Sequence, residues 1–559
     1  MFSPPALSSL HADTETYPLL TRAQIERATL FGRARVVQLG EVLYRPGDLA
    51  VPLYVLLSAT VEVVQPNAET ERIVTVLTPG MFTGEAGMIG GQRAVVLARV
   101  TAPGEVLEVC PEDLRALATH DDQLSELFLR AFMLRRLTLI TRNLGNVIVI
   151  GSRHSAGTSQ LRGFLGRNGH PYNYLDLDTD GASQALLDKF SVSVADIPIV
   201  ICNGKAVLRN PSTLELANCL GLNDNIHREL LRDLVIVGAG PAGLAAAVYA
   251  ASEGLEPLLV ESNAPGGQAG ASSKIENYLG FPTGVSGQEL ASLATTQAQK
   301  FGAKLAVAHA VIELRCQRRP YELVMDDGST LFARTIVIAT GARYNKPSRM
   351  APERFEGRGV HYGATYIEAQ LCDGEDVVVV GGGNSAGQAA VFLSQTASKV
   401  FMLVRAGDLT KTMSRYLIDR IVGNPKIELL CDSELVSLTG DPDLERVTWT
   451  NKRTGSETLV PLRYVFILTG ASPNTDWLRG CVALDERGFI LTGSDLLSAD
   501  RLSKGPAWTL SRAPQLLESS LPGVFAVGDV RAGSVKRVAS AVGEGAIAVS
   551  LVHRVLAEL

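Results

Sequence analysis

Two glycine-rich turns hold the residues whose types and spacing suit chemistry. The first is Gly238-Ala239-Gly240-Pro241-Ala242-Gly243, which follows an apolar run (LVIV, 234–237) and precedes an alanine-rich stretch; a second apolar run closes at Glu261. Each position has a physical reason. Gly238 permits a tight turn, Gly240 lets backbone N–H groups approach a pyrophosphate, and Gly243 lets the helix lie close to the strand. The helix N-terminus directs its dipole at the phosphates, and Glu261 stands where a ribose hydroxyl needs an acceptor. The second turn is Gly381-Gly382-Gly383-Asn384-Ser385-Ala386, after DVVVV (376–380) and before another helical stretch. The next strand, KVFMLV, ends at Arg405. An acid there would accept from the 2′-hydroxyl of NADH, whereas a basic residue suits the 2′-phosphate of NADPH. The chain thus predicts two dinucleotide sites, the second favouring NADP(H) over NAD(H).

A length of 559 residues makes room for about three to four domains. Residues 1–20 read as a flexible lead-in. Residues 21–145 carry a helix, then many short strands punctuated by turn residues, then helices from Pro111 to about Asn143: a β-roll followed by helices. Residues 146–225 alternate as β-α-β-α-β-β-α, with ALLDKF (185–190) as the second helix. A resemblance to the low-molecular-weight thioredoxin reductases, carried by the two turns and by Gly528-Asp529, implies a first dinucleotide domain split between 230–345 and 475–559, with the second inserted at 346–474. The predicted fold class is multidomain α/β: an N-terminal β-roll, a central α/β domain and a C-terminal pair of Rossmann-like domains. A balance of 52 basic and 58 acidic residues, net −6, argues against a general nucleic-acid or membrane surface. No apolar run approaches the roughly 20 residues that span a bilayer, and the N-terminus lacks the pattern of a signal peptide. The seven cysteines are scattered, none at CxxC spacing. That argues against a disulfide framework and against a metal site, and it fits a reducing cytoplasm.

Arg45-Pro46-Gly47-Asp48 and the cassette FTGEAGM (82–88), ending in Gln92-Arg93-Ala94, resemble the cyclic-nucleotide-binding domain. The resemblance implies cAMP or cGMP as an effector. Gly84 would allow close backbone approach, Glu85 would accept from the ribose, and Arg93 would pair with the cyclic phosphate. Ala94 stands where that family often has Ser or Thr, so one hydroxyl contact is missing. Residues 146–222 resemble the thioredoxin/glutaredoxin fold, with Asp196-Ile197-Pro198 matching the loop before a cis-proline. The redox positions of that fold hold Ser155 and Thr158, which cannot exchange disulfides.

From Leu230 onward the chain resembles the low-molecular-weight thioredoxin reductases. The resemblance implies that FAD is held by the first turn, by Gly267-Gln268, Asn277, Thr340-Gly341 and Gly528-Asp529, and by the helix start at Lys536-Arg537-Val538, where Arg537 replaces the family's Gln. It also implies hydride transfer from NAD(P)H to FAD, a homodimer, and a swinging inserted domain with hinges near 346–358 and 471–475. One departure decides the function. The family's Cys-Ala-Thr-Cys pair falls on Gly363-Ala364-Thr365-Tyr366, leaving no redox-active cysteine there; Tyr366 is expected as a ring over the flavin. The expected function is an NAD(P)H-dependent FAD oxidoreductase whose acceptor (flavodoxin, ferredoxin, quinone, free flavin or oxygen) is not reached through an internal disulfide, with activity set by a cyclic nucleotide. Two other readings stand: a thioredoxin reductase using another cysteine such as Cys372, and a sensor without turnover.

Overall fold

The computed structural model describes residues 14–66, 71–142, 144–153, 155–178, 196–202, 206–223, 226, 229–345, 352–478, 480–497 and 506–558. The N-terminal unit is a roll of two antiparallel sheets. Arg33–Val37, Gly104–Val109 and Leu53–Leu56 form one; Val42–Tyr44, Leu97–Ala102, Thr60–Pro66 and Glu71–Leu77 form the other. Alternating apolar residues of both, among them Leu53, Val55, Val61 and Leu77, pack with Phe82, Phe128 and Phe132 in one core. The last two rings come from helix Asp122–Thr141, whose first turn is capped by Asp121 accepting from the Leu124 N–H at 3.0 Å. Residues 14–20 are not the free lead-in expected. The Leu20 N–H donates to the Gly80 carbonyl, and Glu15 pairs with Arg130.

The central unit is a four-stranded sheet in the order Ala206–Arg209, Ile199–Cys202, Val147–Gly151, Asn173–Asp176, with the last pair parallel. Helices Ala156–Arg167 and Thr213–Leu220 cover it, the latter started by a Ser212–Glu215 capping box. The Ile197–Pro198 bond is cis. The expected helix at 185–190 lies outside the described residues.

The remaining chain builds two sheet layers, the first mixed, with Tyr321–Met325 antiparallel to both Val311–Arg315 and Thr330–Ile338. Six strands between 231 and 338, with Lys304–Val307 at one edge, form a sheet that the late strand Val524–Ala526 completes by pairing in parallel with Thr330–Ile338. Between these halves, Val360–His361, Tyr464–Ile467, Asp376–Val380, Lys399–Leu403 and Ile427–Leu430 form a second, parallel sheet. A two-stranded ribbon, Ala342–Tyr344 against Ala471–Pro473, joins the two layers.

Two expectations are corrected here. Helix Val538–Glu558, 21 residues with mean hydropathy 1.3, is long and apolar enough to cross a membrane. One face packs on helix Pro241–Ser252, so closely that a Cβ on Gly545 would stand 2.2 Å from the Ala242 carbonyl oxygen. The cysteines also hold a disulfide, Cys316–Cys481. It ties the two halves of the split domain together, and it removes the cysteine argument for a reducing compartment.

Candidate functional site

Both glycine turns open on one cavity of about 1520 Å3, larger than the roughly 300–1,000 Å3 of an ordinary ligand pocket. On the first side, Gly238 adopts φ +103°, and a Cβ there would meet the Ala339 carbonyl oxygen at 2.4 Å; only glycine fits. Gly243 lies behind the turn, where a Cβ would stand 1.8 Å from the Gly238 oxygen. Gly240 caps helix Pro241–Ser252 and, with Pro241 and Ala242, faces the cavity. The buried Glu261 accepts from the N–H groups of Ala239 (2.8 Å) and Asn263 (3.0 Å). Burial pushes its pKa up, against those hydrogen bonds and the nearby Arg167. Oε1 also accepts from the Ser262 hydroxyl, and Oε2 keeps a lone pair for a ribose hydroxyl.

Gly267, Gln268, Asn277, Thr340, Gly341, Gly528, Asp529, Arg537 and Val538 line the same cavity. The Gln268 amide donates to the Ala342 carbonyl. The Thr340 hydroxyl donates to the Asn474 carbonyl and the Asn474 amide returns a bond to Thr340, both at 2.8 Å, pinning this turn to the connecting ribbon. Burial raises the Asp529 carboxyl, opposed by Lys536. Arg537 immediately precedes helix Val538–Glu558, so a helix N-terminus points into the cavity.

On the second side, Gly381, Gly383, Asn384, Ser385 and Arg405 line the cavity. Ala386 is buried just behind the turn. Asn384 accepts from the Ser414 N–H at 2.7 Å, and the Thr412 hydroxyl donates to the Gly382 carbonyl at 2.6 Å. Tyr344, on the ribbon, lines the cavity between the two sides, and burial pushes its hydroxyl pKa up. Gly363 borders the cavity with open space where a Cβ would be. Tyr366 begins helix Tyr366–Leu371, and the expected ring over the flavin lies outside the described side chains. No cysteine lines the cavity among the described residues. Cys372 is buried in the core of the inserted domain, its thiol pushed up to about 12 chiefly by burial.

Residues 232–545 match the family model described as pyridine nucleotide-disulphide oxidoreductase. The chain belongs to the pyridine nucleotide-disulphide oxidoreductase family. It is similar to the thioredoxin reductase of Listeria innocua, 32% identical over 337 residues, covering 59% of this chain and 96% of that protein. The thioredoxin reductase of Chlamydia trachomatis is 34% identical over 328 residues, covering 56% and 95%. Among solved structures, Lactococcus lactis thioredoxin reductase (FR conformation) matches with TM-score 0.52 at 28% identity over 59% of this chain and all of that one. T. acidophilum thioredoxin reductase matches with TM-score 0.51 at 29% identity, over 59% and 99%. Residues 34–121 match the cyclic nucleotide-binding domain model. The chain is therefore an NAD(P)H-dependent flavoprotein oxidoreductase carrying a cyclic nucleotide-binding domain. FAD fits the first side: the turn is open at Gly240, where a Cβ would find nothing nearer than the Gly267 Cα at 4.0 Å, and the buried Glu261 and half-buried Asp529 stand on its flanks.

In this oxidoreductase the N-terminal cassette is closed. Beneath it lies a cavity of only about 40 Å3, bordered by Tyr17, Tyr44, Gly84, Glu85, Ala94 and Arg135, room for about one water. Glu85 is paired with Arg136 at 2.8 Å, leaving its Oε1 buried without a partner. Arg135 donates to the carbonyls of Thr16, Phe82 and Gly84, and burial draws its pKa down to about 10. Arg93 does not border this cavity.

Sequence reasoning missed several residues. Glu544 accepts from the Gly528 N–H at 2.6 Å and pairs with Arg531 at 2.5 Å, fixing the turn that carries Asp529. Its GEG context in the last helix was the available signal. Asn474 and Tyr344 carry no motif. Ser155 and Thr158 turn out to serve the fold: Ser155 caps helix Ala156–Arg167, and Thr158 is buried.

Proposed function

We propose that this oxidoreductase oxidises NADPH and delivers the electrons to an acceptor that is not reached through an internal disulfide. The observation that carries this is the cavity lining, in which both turns and Gly363 meet but no described residue offers a thiol. FAD, when bound, accepts hydride from NAD(P)H and passes electrons onward. The chain's own part is to bind and orient. The N–H groups of Gly240 and Ala242 would take the diphosphate, Glu261 the adenosine ribose, and Asp529 the ribityl chain. Gln268, Asn277, Thr340 and Gly341 would hold the flavin, and the helix start at Arg537-Val538 would favour negative charge on it. Gly381, Gly383, Asn384, Ser385 and Ala386 hold the nicotinamide dinucleotide, with Arg405 on a 2′-phosphate. Acceptors of the fitting class are flavodoxins, ferredoxins, quinones, free flavin and oxygen. A cyclic nucleotide at Gly84, Glu85, Arg93 and Ala94 would act by displacing Arg135 and residues 14–20, since the closed cavity cannot admit it. A homodimer is the expected assembly.

The likeness to thioredoxin reductases favours a second reading, a thioredoxin-type disulfide as acceptor. Its difficulty is Cys372, which is buried and held as a neutral thiol. An acceptor panel under NADPH, with and without cAMP or cGMP, separates the two. Quinone or ferredoxin reduction with only background thioredoxin-linked turnover is expected. Thioredoxin reduction that disappears in Cys372→Ser overturns the first reading.

A further inference from the structure

Helix Ala156–Arg167 of the central unit ends inside the flavin cavity. Its last residue, Arg167, donates from Nη2 to the Gly267 carbonyl at 3.1 Å and lines the cavity with Gly240 and Glu261. Its Nε is buried and has no hydrogen-bond partner. Gly267 packs directly on the phosphate turn: a Cβ there would stand 3.0 Å from the Gly240 Cα. A guanidinium fastened to Gly267 therefore sits beside the free N–H groups of helix Pro241–Ser252, where a diphosphate is bound. Burial draws its pKa down, and the Glu261 and Glu368 carboxylates pull it partly back. A cation desolvated against one carbonyl is costly until an anion meets it.

We infer that Arg167 is a ligand of the FAD diphosphate, so that the central domain supplies part of the cofactor site. The inference rests on the FAD reading above. Among the described residues, the cations lining the cavity are Arg167, Arg343, Arg405, Lys536 and Arg537. Arg167 alone lies outside the residues 232–545 that match the oxidoreductase family. A guanidinium meets a phosphate through charge-assisted N–H donors, and Arg167 keeps its Nε donor unspent beside the turn. By linkage, FAD binding and docking of the central domain then reinforce each other. The N-terminal units thereby gain a physical hold on cofactor affinity.

The test is FAD titration of the flavin-stripped full chain, followed by flavin fluorescence at low and high salt. Arg167→Gln is expected to raise the FAD Kd about tenfold or more, as loss of a charge-assisted pair does. It should also flatten the salt dependence, and Arg167→Lys should recover part of both. Gln288→Ala is the control. It removes the bond from Gln288 Nε2 to the Gly166 carbonyl (2.5 Å), which holds the same helix end without a charge, and it should leave the Kd near that of the wild type. Wild-type FAD affinity in Arg167→Gln overturns the inference. So does an equal loss in Gln288→Ala, which would make Arg167 a clamp between domains. A wild-type chain that takes up no FAD would overturn the flavoprotein reading, and this inference with it.

Discussion

Replacing Gly243 by alanine tests whether the first turn is built for a diphosphate. The added Cβ would lie 1.8 Å from the Gly238 carbonyl oxygen, so turn and helix must part until that gap reaches at least about 3 Å, the near edge of van der Waals contact. The turn cannot yield: Gly238 is bonded to the Val260 carbonyl at 2.7 Å and backed by the Ala339 carbonyl. Helix Pro241–Ser252 must move instead, against helix Val538–Glu558, which touches it at Gly545. Overpacking of this kind costs about 1–3 kcal/mol, and a domain of this size loses about 2–4 °C in Tm per kcal/mol. A displacement of about 1 Å also lengthens the N–H bonds to the diphosphate beyond useful range. Losing one charged hydrogen bond of about 1.5–3 kcal/mol weakens FAD binding roughly 10- to 100-fold. The assay is flavin content on purification, FAD titration and a thermal melt. Gly163→Ala, in open space on helix Ala156–Arg167, is the control and should gain up to about 1 kcal/mol from helix propensity. Full flavin occupancy and an unshifted Tm in Gly243→Ala would refute the steric argument.

Other perturbations follow from single contacts. Cys316→Ser removes a cross-link between residues 165 apart and should cost about 2–4 kcal/mol of stability; a melt with and without reductant measures it, and turnover should be unchanged because neither cysteine lines the cavity. Arg405→Glu should weaken NADPH about tenfold or more while sparing NADH, read as the ratio of their KM values. His170 is buried and held down to about 3, chiefly by burial and further by Arg136. Its folded pKa lies below its unfolded value near 6.5, so the neutral form favours the fold above 6.5 and that stability is lost as pH falls toward 3. The loss reaches up to about 1.4 kcal/mol per pH unit, and His170→Phe should flatten Tm against pH in that window.

The dinucleotide turns were legible because their requirements are local: strand, glycine spacing, helix and acid lie within one stretch of chain, and Gly238, Gly243 and Gly381 occupy positions a Cβ would foul. Pairings between distant parts of the chain were not. Cys316 and Cys481 carry no spacing signal, and their meeting depends on how the split sheet closes through Val524–Ala526. Arg167 belongs by sequence to another domain and reaches the turn only by docking. Glu85 was legible as an acceptor, but its pairing with Arg136 comes from a helix some fifty residues on, placed by the Phe82, Phe128 and Phe132 packing.

Anaerobic NADPH titration of the FAD-loaded full chain tests the central claim most directly. With flavin as the redox centre in the cavity and no disulfide in series, the flavin band should bleach fully at one NADPH per FAD. A requirement for two equivalents would reveal a disulfide sharing the electrons, and no bleaching would deny the hydride step; either result contradicts the account.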